Sequence, residues 1–176
     1  MAAVFENMKD RRSVRKFTAD PVEREVLEQL VEAGTWAPSA CNVQAWKFSI
    51  VDDPALVQKI DMFSPGMSGN PPALIVVLSD REYALERGGQ RVADEFVILD
   101  CAYASQNIML AAAELGLGTC AIKSYNDAAV RKLLQLPENI VIELIITVGH
   151  PDPEKELRMP KRKPVSEVAF YNAWSE

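Results

Sequence analysis

The sequence predicts an α+β fold in which helices cover both faces of one sheet, and three segments indicate it. Residues 73–78 form a continuous apolar run rich in Val and Ile, which is typical of a strand buried on both faces. Residues 140–148 have the strongest strand pattern in the chain. Residues 91–115 are apolar nearly all the way round a helix, so this helix must be covered on every side, partly by a second copy of the chain.

Shorter patterns complete the predicted order of elements. Residues 4–8, 21–34, 54–60 and 126–134 are predicted as helices, and residues 47–51 as a strand. Asp20 is expected to cap the second helix, with Pro21 at its first position. Residues 62–72 contain structure-breaking residues and are predicted as a loop that forms a lid or rim. Residues 80–90, which include the Gly88-Gly89 pair, are predicted as a second loop.

The composition narrows the class of protein. The chain of 176 residues is expected to form one domain, residues 1–176, and 48% hydrophobic with 25% charged residues is ordinary for a soluble globular protein. The net charge of −6 argues against a nucleic-acid partner. The three widely spaced cysteines favour a reducing cytoplasm, and no signal peptide or membrane span is predicted. With one histidine, neither a hydrolytic triad nor a metal site is expected.

Basic residues cluster near the start of the chain, at Arg11, Arg12 and Arg15 around Ser13. A guanidinium group makes paired, charge-assisted hydrogen bonds to phosphate oxygens, which a lysine cannot do. In an acidic protein, a local basic cluster suggests a small anion such as a phosphate group. A solvated helix end or a nucleic-acid patch remains the alternative from these residues alone.

A polar loop between Trp36 and Trp46 carries two amide side chains, Asn42 and Gln44. Amides supply both donors and acceptors, which are the groups needed to bind the edge of a heterocycle with C=O and N–H groups. Ordinary turn chemistry is the alternative. Cys41, in the same loop, is expected to be a small packing residue.

The C-terminal tail, residues 152–176, contains a second basic cluster and several aromatic residues. The basic residues Lys161, Arg162 and Lys163 either bind the same anion as the first cluster or form a solvated turn. Aromatic residues are unusual in a disordered tail, so the tail is expected to dock on another surface.

These motifs resemble those of the FMN-dependent nitroreductase family, of which the chain looks like a short, minimal-type member. Four segments match in the family's order: Arg11-Arg12-Ser13-x-Arg15 with Phe17, the loop 37–46, the helix and strand 107–124, and Arg162-Lys163-Pro164. The resemblance implies a three-layer α/β/α fold with a mixed, largely antiparallel sheet. It also implies a homodimer in which the C-terminal tail of each subunit docks on its partner.

The resemblance further implies that FMN binds at the subunit interface. The implied contacts are Arg11, Arg12, Ser13, Arg15, Pro38, Ser39, Ala40, Asn42, Gln44, Ala121, Ile122, Lys123, Ser124, Arg162 and Lys163. In this scheme Arg15 is an electrostatic stabiliser, and no side chain acts as a general acid or base.

The implied activity is reduction of a small nitroaromatic or quinone-type acceptor by ping-pong hydride transfer, with NADH or NADPH as reductant. Neither nucleic acid nor membrane is an expected partner. Two alternatives stay open: a flavin-binding storage or sensor module without turnover, and a dedicated reductase or dehalogenase of the same fold.

Overall fold

A computed structural model describes residues 3–155 and 160–174 of the chain. In chain order its elements are α1 (Ala3–Asp10), α2 (Arg24–Thr35), β1 (Trp46–Val51), α3 (Pro54–Met62), β2 (Ala73–Asp80), α4 (Arg81–Gly88), α5 (Val97–Glu114), β3 (Gly118–Ile122), α6 (Asp127–Leu133) and β4 (Ile140–Gly149). A 3₁₀ turn occurs at Ala40–Asn42 and another at Val165–Glu167, and a π-helical turn, Val92–Phe96, precedes α5.

The four strands form one antiparallel sheet in the order β1-β2-β4-β3. Two isolated bridges extend it: Ser13 pairs in parallel with Thr119 of β3, and Phe17 pairs with Pro151 just beyond β4. The segment that follows α1 therefore lies against the β3 side of the sheet. The predicted α+β fold with a largely antiparallel sheet is confirmed.

Alternate side chains of β2 enter two separate cores. Ile75 and Val77 belong to the core that includes buried residues of α2 and α5. Leu74 and Val76 belong to the opposite core, which includes Val57 and Ile60 of α3 and Val130 of α6. Because side chains of a strand alternate between its faces, a central strand that is apolar at successive positions, as β2 is over residues 73–78, gives the three α/β/α layers.

Strand β4 contains a bulge at Glu143. Val77 pairs with Leu144 while Leu78 pairs with Ile142, so Glu143 is an extra residue opposite that step. Its carboxylate is buried, accepts a hydrogen bond from the hydroxyl of Ser79 and forms an ion pair with Arg81 at 2.5 Å. The same arginine donates to the carbonyl of Ala93. These contacts connect β4 to the start of α4 and to the π-helical turn.

Helix α5 has a buried face and an exposed one. Val97, Cys101 and Ala104 are fully buried, whereas Leu99 and Tyr103 are each 50% exposed. Residues 92–114 are long and apolar enough to cross a membrane by composition, but here they pack against α2 and the sheet in the core of the fold. The helix is central as predicted, and residues 3–155 and 160–174 leave one of its apolar faces uncovered.

Two local predictions are wrong. Residues 81–88, predicted as part of a loop, form α4 because Asp80 caps the helix by accepting a hydrogen bond from Tyr83 N at 3.0 Å. Helix α2 begins at Arg24 with Glu23 at its N-cap, and Asp20 instead accepts a hydrogen bond from the Thr18 hydroxyl.

The segment after α3 is a loop as predicted, and parts of it pack in the interior. Ser64, Met67 and Pro71 are buried. At Gly69 the backbone has φ +82°, and a Cβ would lie 2.2 Å from the carbonyl oxygen of Arg15. Glycine is therefore required where this loop crosses the segment that follows α1.

Candidate functional site

The two basic clusters of the sequence meet in one cleft of about 480 Å³, which we call the arginine cleft. The arginine cleft is lined by Arg11, Arg12, Ser13, Arg15, Pro160, Lys161 and Arg162. Arg11 and Arg12 are half-buried, whereas Ser13, Arg15 and Arg162 are exposed. Four guanidinium groups and one ammonium group thus surround a space that can hold a small anion.

The first cluster is held in place by its neighbour Val14, which is 3% exposed. Val14 N donates to the carbonyl of Thr119 in β3 at 2.9 Å, and a Cβ on Gly118 would lie 2.7 Å from the Val14 side chain. Because Val14 points into the protein, Ser13 and Arg15 on either side of it point outward. The apolar residue between the polar ones thereby orients them toward the cleft.

Arg12 also has a structural contact. Its guanidinium donates to the carbonyl of Arg11 at 2.8 Å and to the carbonyl of Lys9 near the end of α1. A cation at the C-terminal end of a helix interacts favourably with the free carbonyls there. These contacts hold the guanidinium of Arg12 beside the arginine cleft that it lines.

The amide loop, residues 38–44, has a strained backbone. Cys41, Asn42 and Gln44 all have positive φ, at 51°, 55° and 55°. The conformation is supported by local hydrogen bonds, from Gln44 N to Ser39 Oγ at 3.1 Å and from Gln44 Nε2 to the carbonyl of Asn42 at 3.2 Å. Positive φ is uncommon for residues other than glycine. The residues that adopt it occur preferentially at binding and active sites. Cys41 is exposed, so its predicted packing role is wrong.

Asp100 of α5 holds this loop, and the sequence analysis missed it. Both of its carboxylate oxygens lie 3.2 Å from Ala40 N, at the start of the 3₁₀ turn. The residue is 3% exposed, and burial raises the pKa of its carboxyl, an effect that the hydrogen bond from Ala40 N–H partly offsets. The sequence feature that could have identified Asp100 is an acidic residue on the inner face of an apolar helix, because a buried polar group requires a hydrogen-bond partner.

Within one chain, the amide loop and the arginine cleft are separate. Pro38, Ser39 and Ala40 line a different cleft, of about 360 Å³, together with Asp100 and exposed α5 residues including Leu99 and Tyr103. Asn42 and Gln44 are exposed and are absent from the lining of the arginine cleft.

The third matching segment, residues 107–124, ends just beyond β3. Ala121, Lys123 and Ser124 are exposed, whereas Ile122 is 4% exposed and packs in the core between the sheet and helices α3 and α6. Ile122 can therefore present only its backbone to a ligand. Lys163 is exposed and follows Arg162 in the chain, without lining the arginine cleft itself.

Comparison of the sequence with protein-family models identifies the family of the chain. The model of the nitroreductase family matches residues 8–65 and 61–150. The chain belongs to the nitroreductase family. The resemblance that the sequence motifs indicated is thereby confirmed.

Individual nitroreductase-family relatives match over most of their length. A protein of Archaeoglobus fulgidus, provisionally named NADH dehydrogenase/NAD(P)H nitroreductase, is 34% identical over 152 residues, 83% of this chain and 84% of that protein. An NADPH-dependent oxidoreductase of Staphylococcus epidermidis is 30% identical, over 94% of this chain and 71% of that protein. A solved FMN-dependent nitroreductase of Clostridium difficile is 30% identical with a TM-score of 0.79, over 96% of this chain and 99% of that one. Family and relatives support a general oxidoreductase function.

Proposed function

We propose that the chain is an FMN-dependent NAD(P)H oxidoreductase that reduces nitroaromatic or quinone-type acceptors by ping-pong hydride transfer. The observation that carries the proposal is the arginine cleft, where residues from both ends of the chain meet around one anion-sized space. Their concentration in a protein of net charge −6 favours a specific phosphate site over a general basic surface.

The residues of the arginine cleft fit the phosphate of FMN. Arg11 and Arg12 would bind phosphate oxygens through paired N–H groups, and the Ser13 hydroxyl would add a further donor. Lys161, Arg162 and Lys163 would approach from the C-terminal side. Hydrogen bonds to an ionised group are each worth roughly 1.5–3 kcal/mol, so this set can hold a dianion firmly.

The rest of the bound group would lie along β3. Asn42 and Gln44 carry the amide donors and acceptors suited to the edge of a ring with C=O and N–H groups. The exposed residues Ala121, Lys123 and Ser124, with the backbone of Ile122, would line the face of this ring. Pro38, Ser39 and Ala40 would position the two amides.

When bound, FMN supplies the two-electron chemistry that the side chains of the protein lack. In the overall reaction NAD(P)H loses a hydride to become NAD(P)⁺, and a quinone takes two electrons and two protons, one from solvent, to become a hydroquinone. Arg15 offers a fixed positive charge that stabilises negative charge developing in the site. The protein otherwise orients the reactants and limits access of water.

The separation of the amide loop from the arginine cleft supports a homodimer, in which each site takes its amide loop from the partner. The exposed apolar residues of α5, with Val4, Phe5 and Met8 of α1, form a face suited to association. Val168, Phe170, Tyr171 and Trp174 of the tail, residues 152–176, are also exposed, and docking of this tail on the partner would cover them. We place the enzyme in the cytoplasm.

The first test is the absorption spectrum of the purified protein. A yellow protein that releases FMN on denaturation is expected, and a colourless protein that takes up no added FMN would disprove the proposal. Anaerobic mixing with NADH or NADPH should then bleach the flavin rapidly. Binding without bleaching would instead indicate a storage or sensor module.

A further inference from the structure

A second cleft lies at the other end of β3, with a volume of about 670 Å³. One wall consists of Met62, Phe63 and Pro65 from the end of α3, and the facing wall consists of residues 123–126. Met62 is 76% exposed and Phe63 is 41% exposed, which is unusual for large apolar side chains that line a concave surface. The cleft therefore offers an apolar surface to a planar ligand.

The two walls are joined by hydrogen bonds, so the cleft is formed before any ligand binds. Gly66 N donates to the carbonyl of Ser124 at 3.1 Å, and Asn126 N donates to the carbonyl of Phe63 at 2.7 Å. A Cβ on Gly66 would lie 2.9 Å from Ile122, so only glycine permits this close approach. Little ordering is needed when a ligand enters a pocket of this kind.

The charged residue in the lining is Lys123. Its Nζ donates to the carbonyl of Ile142 at 3.1 Å and to the hydroxyl oxygen of Tyr125 at 3.3 Å, which fix its position. Among residues 3–155 and 160–174 it forms no ion pair with a carboxylate. Within the part of the chain that the structure describes, the positive charge is therefore held at the cleft without a carboxylate partner.

Tyr125 does not neutralise this charge either. Its hydroxyl donates to the carbonyl of Ile142 at 2.9 Å. Burial, with smaller effects of the carboxylates of Asp127 and Glu143, raises the pKa of Tyr125 to about 12. The phenol is therefore neutral at physiological pH. Asp127 belongs to α6 and does not line the cleft.

This cleft and the arginine cleft lie at opposite ends of one strand. Ser13 pairs with Thr119 near the start of β3, and Lys123 follows its end. Four residues of a strand span about 13 Å at about 3.3 Å per residue. A cofactor whose phosphate occupies the arginine cleft would extend toward the cleft at Lys123.

We propose that the cleft at Lys123 is the acceptor pocket, and that it selects planar aromatic acceptors that carry a negative charge, such as carboxylated or sulfonated quinones and nitroarenes. Met62 and Phe63 contact the ring, and the ammonium group of Lys123 binds the anionic substituent. This inference rests on the proposed function for the redox step, whereas the ligand selectivity can be measured without turnover.

Titration calorimetry with two matched, non-reducible ligands tests the selectivity. Naphthalene-2-carboxylate and naphthalene-2-carboxamide share a ring and differ in charge, and excess FMN keeps the arginine cleft occupied. Wild-type protein should bind the carboxylate roughly 2- to 5-fold more tightly than the amide, as expected for a partly exposed ion pair. Lys123→Gln should remove the difference, Lys123→Glu should reverse it, and Lys123→Arg should retain it.

Lys47→Gln, which removes an exposed lysine of β1, serves as the control and should behave as wild type. Equal affinities of the two ligands for wild type, or equal weakening of both by Lys123→Gln, would overturn the inference. So would a Lys123→Gln effect confined to the binding of NADH or NADPH. Flavin bleaching without charge selectivity rejects this inference alone, whereas charge selectivity without bleaching rejects the proposed turnover alone.

Discussion

The arginine cleft and the amide loop differ in how completely a single chain assembles them. In the arginine cleft, residues from both ends of the chain converge on one space. The amide loop has its strained backbone in place, held by Asp100, but Asn42 and Gln44 project into solvent. The loop also adjoins the exposed apolar face of α5, where Leu99 and Tyr103 share its cleft.

The difference indicates that the two halves of the proposed site form in different ways: the arginine cleft within one chain, and the amide loop by packing against a second copy. The basic residues can gather on one chain because a solvated surface tolerates their repulsion until an anion arrives. The amide loop needs a surface to face, and the adjoining apolar residues are suited to bind a second copy. The phosphate half of the site should therefore depend on individual side chains, and the ring half on association.

The largest expected effect comes from placing a charge on the apolar face of α5. Leu99→Arg would bury an unpaired charge twice in a symmetric dimer, at a cost of several kcal/mol per charge. We expect the dimer dissociation constant to rise more than about 100-fold, with loss of FMN. Sedimentation velocity and flavin content measure both.

Leu85→Arg is the matched control, because Leu85 is also an exposed leucine, on α4. This variant should remain dimeric. If it dissociates as Leu99→Arg does, or if both variants remain dimeric, the assignment of the α5 face to the interface is incorrect.

Removing one arginine of the cleft should weaken FMN binding without changing the oligomeric state. Arg11→Ala removes hydrogen bonds worth roughly 1.5–3 kcal/mol, so the dissociation constant of FMN should rise roughly 10- to 100-fold. Quenching of flavin fluorescence measures it.

Arg24→Ala is the corresponding control, since Arg24 is exposed and paired with Asp52 away from the cleft. FMN affinity in this variant should equal that of wild type. Equal weakening in the two variants would mean that Arg11 acts through general charge and not through direct contact.

A smaller effect is expected at Asp100, through the geometry of the amide loop. Asp100→Ala leaves Ala40 N–H without its acceptor and should weaken FMN binding roughly 10-fold, whereas Asp100→Asn keeps an acceptor oxygen and should stay within about 2-fold. Asp94→Asn, on the preceding π-helical turn, is the control. Equal effects of the Ala and Asn variants would argue against the hydrogen bond as the cause.

Stability should depend on pH through the same residue. Because burial raises the pKa of Asp100 above 3.8, the folded protein binds this proton more tightly than the unfolded chain. The contribution of Asp100 to the free energy of unfolding therefore falls as pH rises from 3.8 through the raised pKa. Urea unfolding at a series of pH values should show this decline in wild type and not in Asp100→Asn. Parallel curves would contradict it.

The smallest expected effect concerns the strain in the amide loop. Cys41 has φ 51° and ψ 21°, a conformation that costs a residue with a side chain roughly 1–2 kcal/mol and glycine much less. Cys41→Gly should raise the free energy of unfolding by up to about 1 kcal/mol. Val43→Gly, at a right-handed and buried position in the same loop, should lower it through lost packing and added backbone freedom. Thermal unfolding of both variants distinguishes release of strain from a general effect of glycine.

Features that depend on local pattern were predictable. The unbroken apolar run of β2 indicated a strand with two covered faces, and Asn126 indicated the start of α6, where its side chain accepts a hydrogen bond from Ala129 N. The same local rules failed at two places. The Asp20 carboxylate accepts a hydrogen bond from the Thr18 hydroxyl. Residues 81–88 form a helix that Asp80 caps. In both places one side-chain hydrogen bond differs from the prediction, and the residue types alone do not show which hydrogen bond forms.

The sequence by itself determined the three-layer arrangement and the kinds of group available for binding, because periodicity and side-chain chemistry are properties of neighbouring residues. Only the tertiary structure decided that Arg162 meets Arg11, that Asp100 holds Ala40, and that one face of α5 lies open. Each of these depends on the distance between residues far apart in the chain. That distance is fixed by how the helices and the sheet pack together, and no local sequence pattern contains it.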